Sequence, residues 1–102
     1  LTEDGGGALG DFLQDVVAAG TQVFLLGYPD PPTGGNDFSG CVADLRALAD
    51  RLNALEGVTL VPAHHAIDPA DKSYYDADRV HPSVKGSSAM AELLAAAIEA
   101  SL

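Results

Sequence analysis

Gln22-Val23-Phe24-Leu25-Leu26-Gly27-Tyr28 decides the fold. Val23 to Leu26 is a continuous apolar run, closed on its far side by Gly27 and, two residues on, by Pro29. A strand with one wet face alternates apolar and polar residues. An unbroken short run belongs instead to a strand covered on both faces, as in parallel sheets flanked by helices. Upstream, Leu9, Phe12, Leu13, Val16 and Val17 recur at helical spacing, which predicts a helix over Ala8 to Ala19. Gly20 stands where that helix needs a left-handed C′ residue. Downstream, Pro29, Pro31, Pro32, Gly34, Gly35 and Gly40 predict a long loop.

A second helix is expected from about Ser39 to Glu56, with Val42, Leu45, Leu48, Leu52 and Leu55 on one side. Asp37 or Ser39 is placed to cap it and Gly57 to end it. Val58 to Val61 reads as a second strand, stopped by Pro62. Residues 63 to 81 read as irregular. A third helix follows over Ser83 to Ser101, with Val84, Ala91, Leu94 and Ile98 as its buried face. Gly86, near its start, is expected to let that helix pack closely on a strand. The order α-β-α-β-α implies an α/β fold with parallel strands and a right-handed crossover. Two such strands would leave open ladder edges. The expectation is therefore that residues 1–102 form the C-terminal part of a larger α/β sheet. Its first half would come from other sequence or another chain, and a start at Leu1 rather than Met fits that expectation.

Hydrophobic residues make up 47% of the chain, which places it among globular rather than disordered sequences. A net charge of −10 argues against nucleic acid and anionic membrane surfaces as partners, since both call for clustered Lys and Arg. No apolar run approaches the roughly 20 residues that span a bilayer. Cys41 is the only cysteine, so no disulfide framework lies within these residues.

Chemistry is best placed at Asp78-Arg79-Val80-His81-Pro82. Pro82 presets its own φ and is expected to open the last helix, with His81 just outside it. A turn over residues 78 to 81 would fold the Asp78 carboxylate onto the His81 ring. An acid in that place accepts from Nδ1–H and leaves Nε2 free as a base. Asp78 and His81 also fall beyond the carboxyl end of the second strand, where open α/β sheets bind ligands. Asp76 is a rival acid, five residues from His81. His64 and His65 are adjacent, so in an extended segment their rings diverge. Together with Asp68 they match no zinc spacing, and no metal or cofactor is expected. Tyr74 and Tyr75 read as loop packing ahead of an acyl pocket, and Arg79 and Lys85 as solvated charges.

Asp78-Arg79-Val80-His81-Pro82-Ser83, with Gly86 and the Ala/Leu helix beyond, resembles the last signature block of the SGNH (GDSL) hydrolases. Val23-Phe24-Leu25-Leu26-Gly27-Tyr28-Pro29 resembles that family's penultimate strand and following loop. The family comprises esterases, lipases, thioesterases and carbohydrate deacetylases on a flavodoxin-like three-layer α/β/α fold. The resemblance covers about residues 8 to 102 and is specific over 78 to 86. It implies a serine ester hydrolase acting on a small-molecule, lipid or carbohydrate ester, with His81 as general base and Asp78 as its orienting acid. The family's Gly-Asp-Ser nucleophile block is absent. Ser39, Ser73, Ser83, Ser87, Ser88 and Ser101 lie in no nucleophile elbow. The nucleophile and the oxyanion glycine would therefore belong to the missing half. Gly34-Gly35-Asn36-Asp37 repeats the letters of the family's oxyanion asparagine block, but several residues past its strand. Asn36 is thus a candidate oxyanion donor, weighed against a loop and helix cap. Two other readings stand beside this one: a non-catalytic flavodoxin-like interaction module, and a metal-dependent hydrolase. Family members are both secreted and intracellular, so the resemblance leaves the compartment open.

Overall fold

The structure is a computed structural model that describes residues 1–33 and 39–102. Its elements run α1 (Ala8–Ala18), β1 (Val23–Leu26), α2 (Val42–Asn53), β2 (Val58–Val61) and α3 (Val84–Ala100). Short 3₁₀ turns lie at Ser39–Cys41 and Lys72–Tyr74. This is the α-β-α-β-α order that the periodicities predict, and the chain is a small α/β structure. β1 and β2 pair in parallel, in the register Val23↔Val58, Phe24↔Thr59, Leu25↔Leu60, Leu26↔Val61.

Local chemistry sets the ends of the elements. α1 stops at Gly20, whose φ is +88°. Gly20 N–H bonds the Val17 carbonyl and Thr21 N–H the Val16 carbonyl. That paired closure satisfies the orphan carbonyls of the last turn and needs a residue free to go left-handed. Gly57, at φ +80°, brings the chain past α1 so closely that a Cβ there would sit 2.5 Å from Val17 Cγ1. α2 is shorter than its apolar stripe. It begins at Val42 behind the Ser39–Cys41 turn, with no side-chain cap, and ends before Ala54. Asp37, the expected alternative cap, lies outside the described residues.

The register explains the core. Val23, Leu25, Val58 and Leu60 share one face of the sheet, because alternate residues point the same way and paired positions lie side by side. Leu13, Leu52 and Leu55 close over them, with Val58 and Leu60 buried among them. Val17, Leu48 and Ala49 pack around this cluster. Phe24, Leu26, Thr59 and Val61 face the other way. α3 touches both strands without adding a side chain to the core cluster. Its expected buried face is not buried here: Leu94 is half-buried, while Ala91 is exposed, Ile98 is 39% exposed and Val84 is 86% exposed. On α1, Leu13 is buried while Phe12 is 62% exposed. The radius of gyration is 14.7 Å, against about 13 Å for a closed domain of 100 residues.

Candidate functional site

Both loops that leave the carboxyl ends of the strands meet at one rim. From β1 the chain runs through Gly27 to Thr33, and from β2 through Pro62 to Ser83. Hydrogen bonds between the described residues lace them together. Tyr75 Oη donates to the Asp30 carbonyl at 2.8 Å, and Thr33 N–H donates to the Pro69 carbonyl at 2.9 Å. An Arg79 guanidinium nitrogen donates to the Thr33 carbonyl at 3.0 Å. Asp30 is fixed a second time, through its carboxylate, which pairs with Arg46 at 3.1 Å. Tyr75 is buried, and burial beside the Asp30 and Asp68 carboxylates raises its phenol pKa. It therefore stays a neutral donor in this joint.

The segment with Asp78 and His81 is tied at its neck. Tyr75 and Pro82 form an isolated antiparallel bridge. Asp76 N–H donates to the His81 carbonyl at 2.8 Å, and Ser83 N–H to the Tyr74 carbonyl at 2.8 Å. Inside this neck Asp78 Oδ1 accepts from Val80 N–H at 2.9 Å and from His81 N–H at 3.1 Å. Asp78 thus builds its own turn, as Asp does when its side chain replaces a backbone acceptor. Arg79 sits at φ +58°, a left-handed conformation that bulky residues avoid. Its N–H donates to the Asp76 carbonyl at 2.9 Å.

The remaining oxygen, Asp78 Oδ2, lies 2.5 Å from His81 Nδ1. In the neutral ring, Nδ1–H donates to the ionised carboxylate and Nε2 is left without the proton. Each group shifts the other's titration. The hydrogen bond from His81, followed by those from the Val80 and His81 amides, lowers Asp78 to about 2. The same hydrogen bond, and then the charge of Asp78, raises the imidazole above its ordinary value of 6.5. The His81 side chain is 75% exposed, so the ring stands open to an incoming group.

Pro82 does not open α3. Ser83 takes the cap, accepting from Gly86 N–H at 3.2 Å, and the helix starts at Val84. Pro82 is held instead in the bridge to Tyr75, where its missing N–H costs nothing. Gly86 makes a close approach, but to the rim loop rather than to a strand. A Cβ there would lie 2.3 Å from the Tyr74 carbonyl oxygen. α3 thereby holds the neck of the histidine loop directly. Lys85, read from the sequence as solvated, reaches Ser73 Oγ at 2.9 Å, and its ammonium lies 4.3 Å from the centre of the Tyr74 ring.

His64 and His65 do not diverge. The chain turns at Ala63 and Ala66 (Ala66 N–H to the Ala63 carbonyl, 3.0 Å), and the rings meet edge to face at 4.3 Å. Asp68 turns back on its own backbone, accepting from Ala70 N–H at 2.9 Å. Among the described residues no group of three or more His, Cys, Asp or Glu side chains is arranged to hold a metal ion. Asn36, the candidate oxyanion donor, lies outside the described residues.

Beside His81 the rim opens into a cleft of about 370 Å³. The Tyr28–Pro32 loop forms one wall, Val80, His81 and Pro82 another, and Cys41 and Leu45 of the α2 entry a third. Cys41 is exposed and carries a free thiol. Sequence reasoning missed this cleft. Its signal was the three prolines in one rim loop, which give rigid apolar surface with few donors. It also missed the lacing by Tyr75 and Arg79, which no spacing rule encodes because the partners are backbone carbonyls. Compared with known proteins, the chain matches no family model, no curated protein and no solved structure.

Proposed function

We propose that the chain is the base-bearing part of a serine ester hydrolase of SGNH type, with His81 as general base and Asp78 as the group that orients it. One observation carries the reading: the 2.5 Å contact between Asp78 Oδ2 and His81 Nδ1, with the ring exposed at the carboxyl-end rim of the sheet. In the mechanism, a serine hydroxyl attacks the ester carbonyl as His81 Nε2 takes its proton. The imidazolium returns that proton to the departing alcohol; the neutral ring then takes a proton from water, whose oxygen attacks the acyl-serine, and returns it to the serine oxygen as the acid leaves. Asp78 holds the productive tautomer and stabilises the imidazolium, remaining ionised throughout.

None of the six serines lies in an elbow that would expose it as a nucleophile, and Ser87 and Ser88 lie within α3. We therefore assign the nucleophile and the oxyanion glycine to a segment outside these residues. The same segment would pair with β1, which among the described residues bonds only β2. It would complete a flavodoxin-like three-layer sheet and cover Phe12 and the largely exposed apolar face of α3. The 102 residues alone are then expected to turn over no p-nitrophenyl ester.

Fluorophosphonate labelling of the full-length protein tests the assignment. The expected result is one labelled serine, with labelling lost in His81→Ala and strongly slowed in Asp78→Asn. Labelling that survives His81→Ala at the wild-type rate would sink the reading.

A further inference from the structure

We infer that the cleft beside His81 receives a neutral, apolar acyl or alkyl group of the ester, and that Leu45 and Cys41 set how large that group can be. The inference rests on the esterase reading for its chemistry, but not for the binding itself. The cleft has the volume of a small-ligand site, at about 370 Å³. Pro29, Pro31, Pro32, Leu45 and Val80 give it a surface poor in hydrogen-bond donors. Apolar groups gain by leaving water for such a surface, and polar ones lose.

Charge settles the class further. Asp30 lies in the wall with its carboxylate already paired to Arg46, and the Asp78 carboxylate, bonded to the lining residue His81 at 2.5 Å, is ionised at any pH well above about 2. The whole chain carries −10. An anionic tail would enter against the Asp78 carboxylate and the net charge of the chain, whereas a neutral one meets none of that cost. The walls are also held in place. Tyr75 Oη and the Arg79 guanidinium tie the proline loop to the histidine loop by its carbonyls, at 2.8 and 3.0 Å. The opening is therefore a standing feature, and its width depends on the side chains at the α2 entry.

Cys41 gives a readout that needs no catalysis. It lines the cleft, its thiol is exposed, and as the one cysteine of residues 1–102 it is followed by mass analysis of the tryptic peptide that ends at Arg46. The full-length protein would be alkylated with a small neutral maleimide in the presence of hexanamide, hexanoate or acetamide. At about four times its Kd, hexanamide leaves about one fifth of the cleft free, so Cys41 alkylation should slow about fivefold. Hexanoate and acetamide at the same concentration should leave the rate within about twofold of the unprotected one. Leu45→Ala should extend protection to decanamide, and Leu45→Trp should abolish protection by hexanamide. No protection by hexanamide in the wild type overturns the inference, as does equal protection by hexanoate or by acetamide. The His81→Ala protein separates the two readings. Protection that persists there while fluorophosphonate labelling proves independent of His81 sinks the hydrolase and keeps the cleft. His81-dependent labelling without Cys41 protection does the reverse.

Discussion

The cluster of Leu13, Leu52, Leu55, Val58 and Leu60 and the loop from Asp76 to His81 keep their shapes by opposite means. In the cluster, side chains are buried and directionless, and the register of two strands puts the right ones together. In the loop, almost everything is exposed, and shape comes from hydrogen bonds with fixed partners: the Tyr75–Pro82 bridge at the neck and the Asp78 carboxylate within. A core can lose a methyl group and relax. A loop of this kind has no such slack, because each bond has one acceptor at one angle. The two regions should therefore fail differently when cut.

The sharpest contrast is between His81→Ala and Leu52→Ala. General acid–base catalysis contributes about 10²- to 10⁴-fold, so His81→Ala in the full-length protein should lower ester turnover by that factor. Its unfolding midpoint should barely move, since the side chain is 75% exposed. Leu52→Ala should do the converse. A buried leucine cut to alanine costs about 2–5 kcal/mol, so chemical unfolding shifts to markedly lower denaturant. Turnover per folded molecule should stay within about twofold of wild type. A large loss of stability in His81→Ala would show that the loop belongs to the core rather than to the rim.

The same contrast governs what could be read from the sequence. The elements were legible because burial writes itself as periodicity: Leu13 and Val17, or Leu48, Leu52 and Leu55, recur at helical spacing. The strands were legible as apolar runs, yet the runs overstated coverage. β2 is largely buried, while all of β1 is only half-buried and Thr59 is exposed. An apolar run records the environment a strand is built for, and these residues alone do not supply all of it. Asp78 and His81 were legible because both ends of their bond lie within four residues. Tyr75 to Asp30 and Arg79 to Thr33 were not, because they join residues more than forty apart through carbonyls that every residue carries. Pro82 misled for a related reason. Its φ suits a first helical turn, but Ser83 offers a capping oxygen and Pro82 suits the bridge.

Gly86 lets the boundary between the two regions be cut. It belongs to α3, yet its missing side chain is required by the loop, since a Cβ would press to 2.3 Å from the Tyr74 carbonyl oxygen. Gly86→Ala should favour the helix by its propensity. It should still destabilise the protein by about 1–3 kcal/mol, as overpacking does. The damage should be local. Amide exchange should quicken at Asp76 and Ser83, whose N–H groups close the neck, and not at Leu25 or Leu60 in the sheet. Quickened exchange throughout the sheet would mean that loop and core unfold as one unit.

The smallest expected effect is the most specific to the pair. His81 is raised above 6.5 in the folded chain, so its bond to Asp78 adds stability that is fully present below 6.5 and lost as pH rises through the folded value. Asp78 is lowered from 3.8 to about 2, so its share is present above 3.8 and lost as pH falls towards about 2. Between 3.8 and 6.5 both shares are held, though solvent around two exposed groups keeps them small. Catalysis needs the other state. A base must be neutral, so turnover should rise with pH through the raised histidine value, on the side where the pair's stabilisation is fading. Asp78→Asn removes the acceptor that raises the imidazole. An NMR titration of the His81 ring should then show its pKa falling, and the turnover limb should move to lower pH by the same interval. A His81 titration unmoved by Asp78→Asn would break the link between the turn and the base, whatever the distance between their atoms.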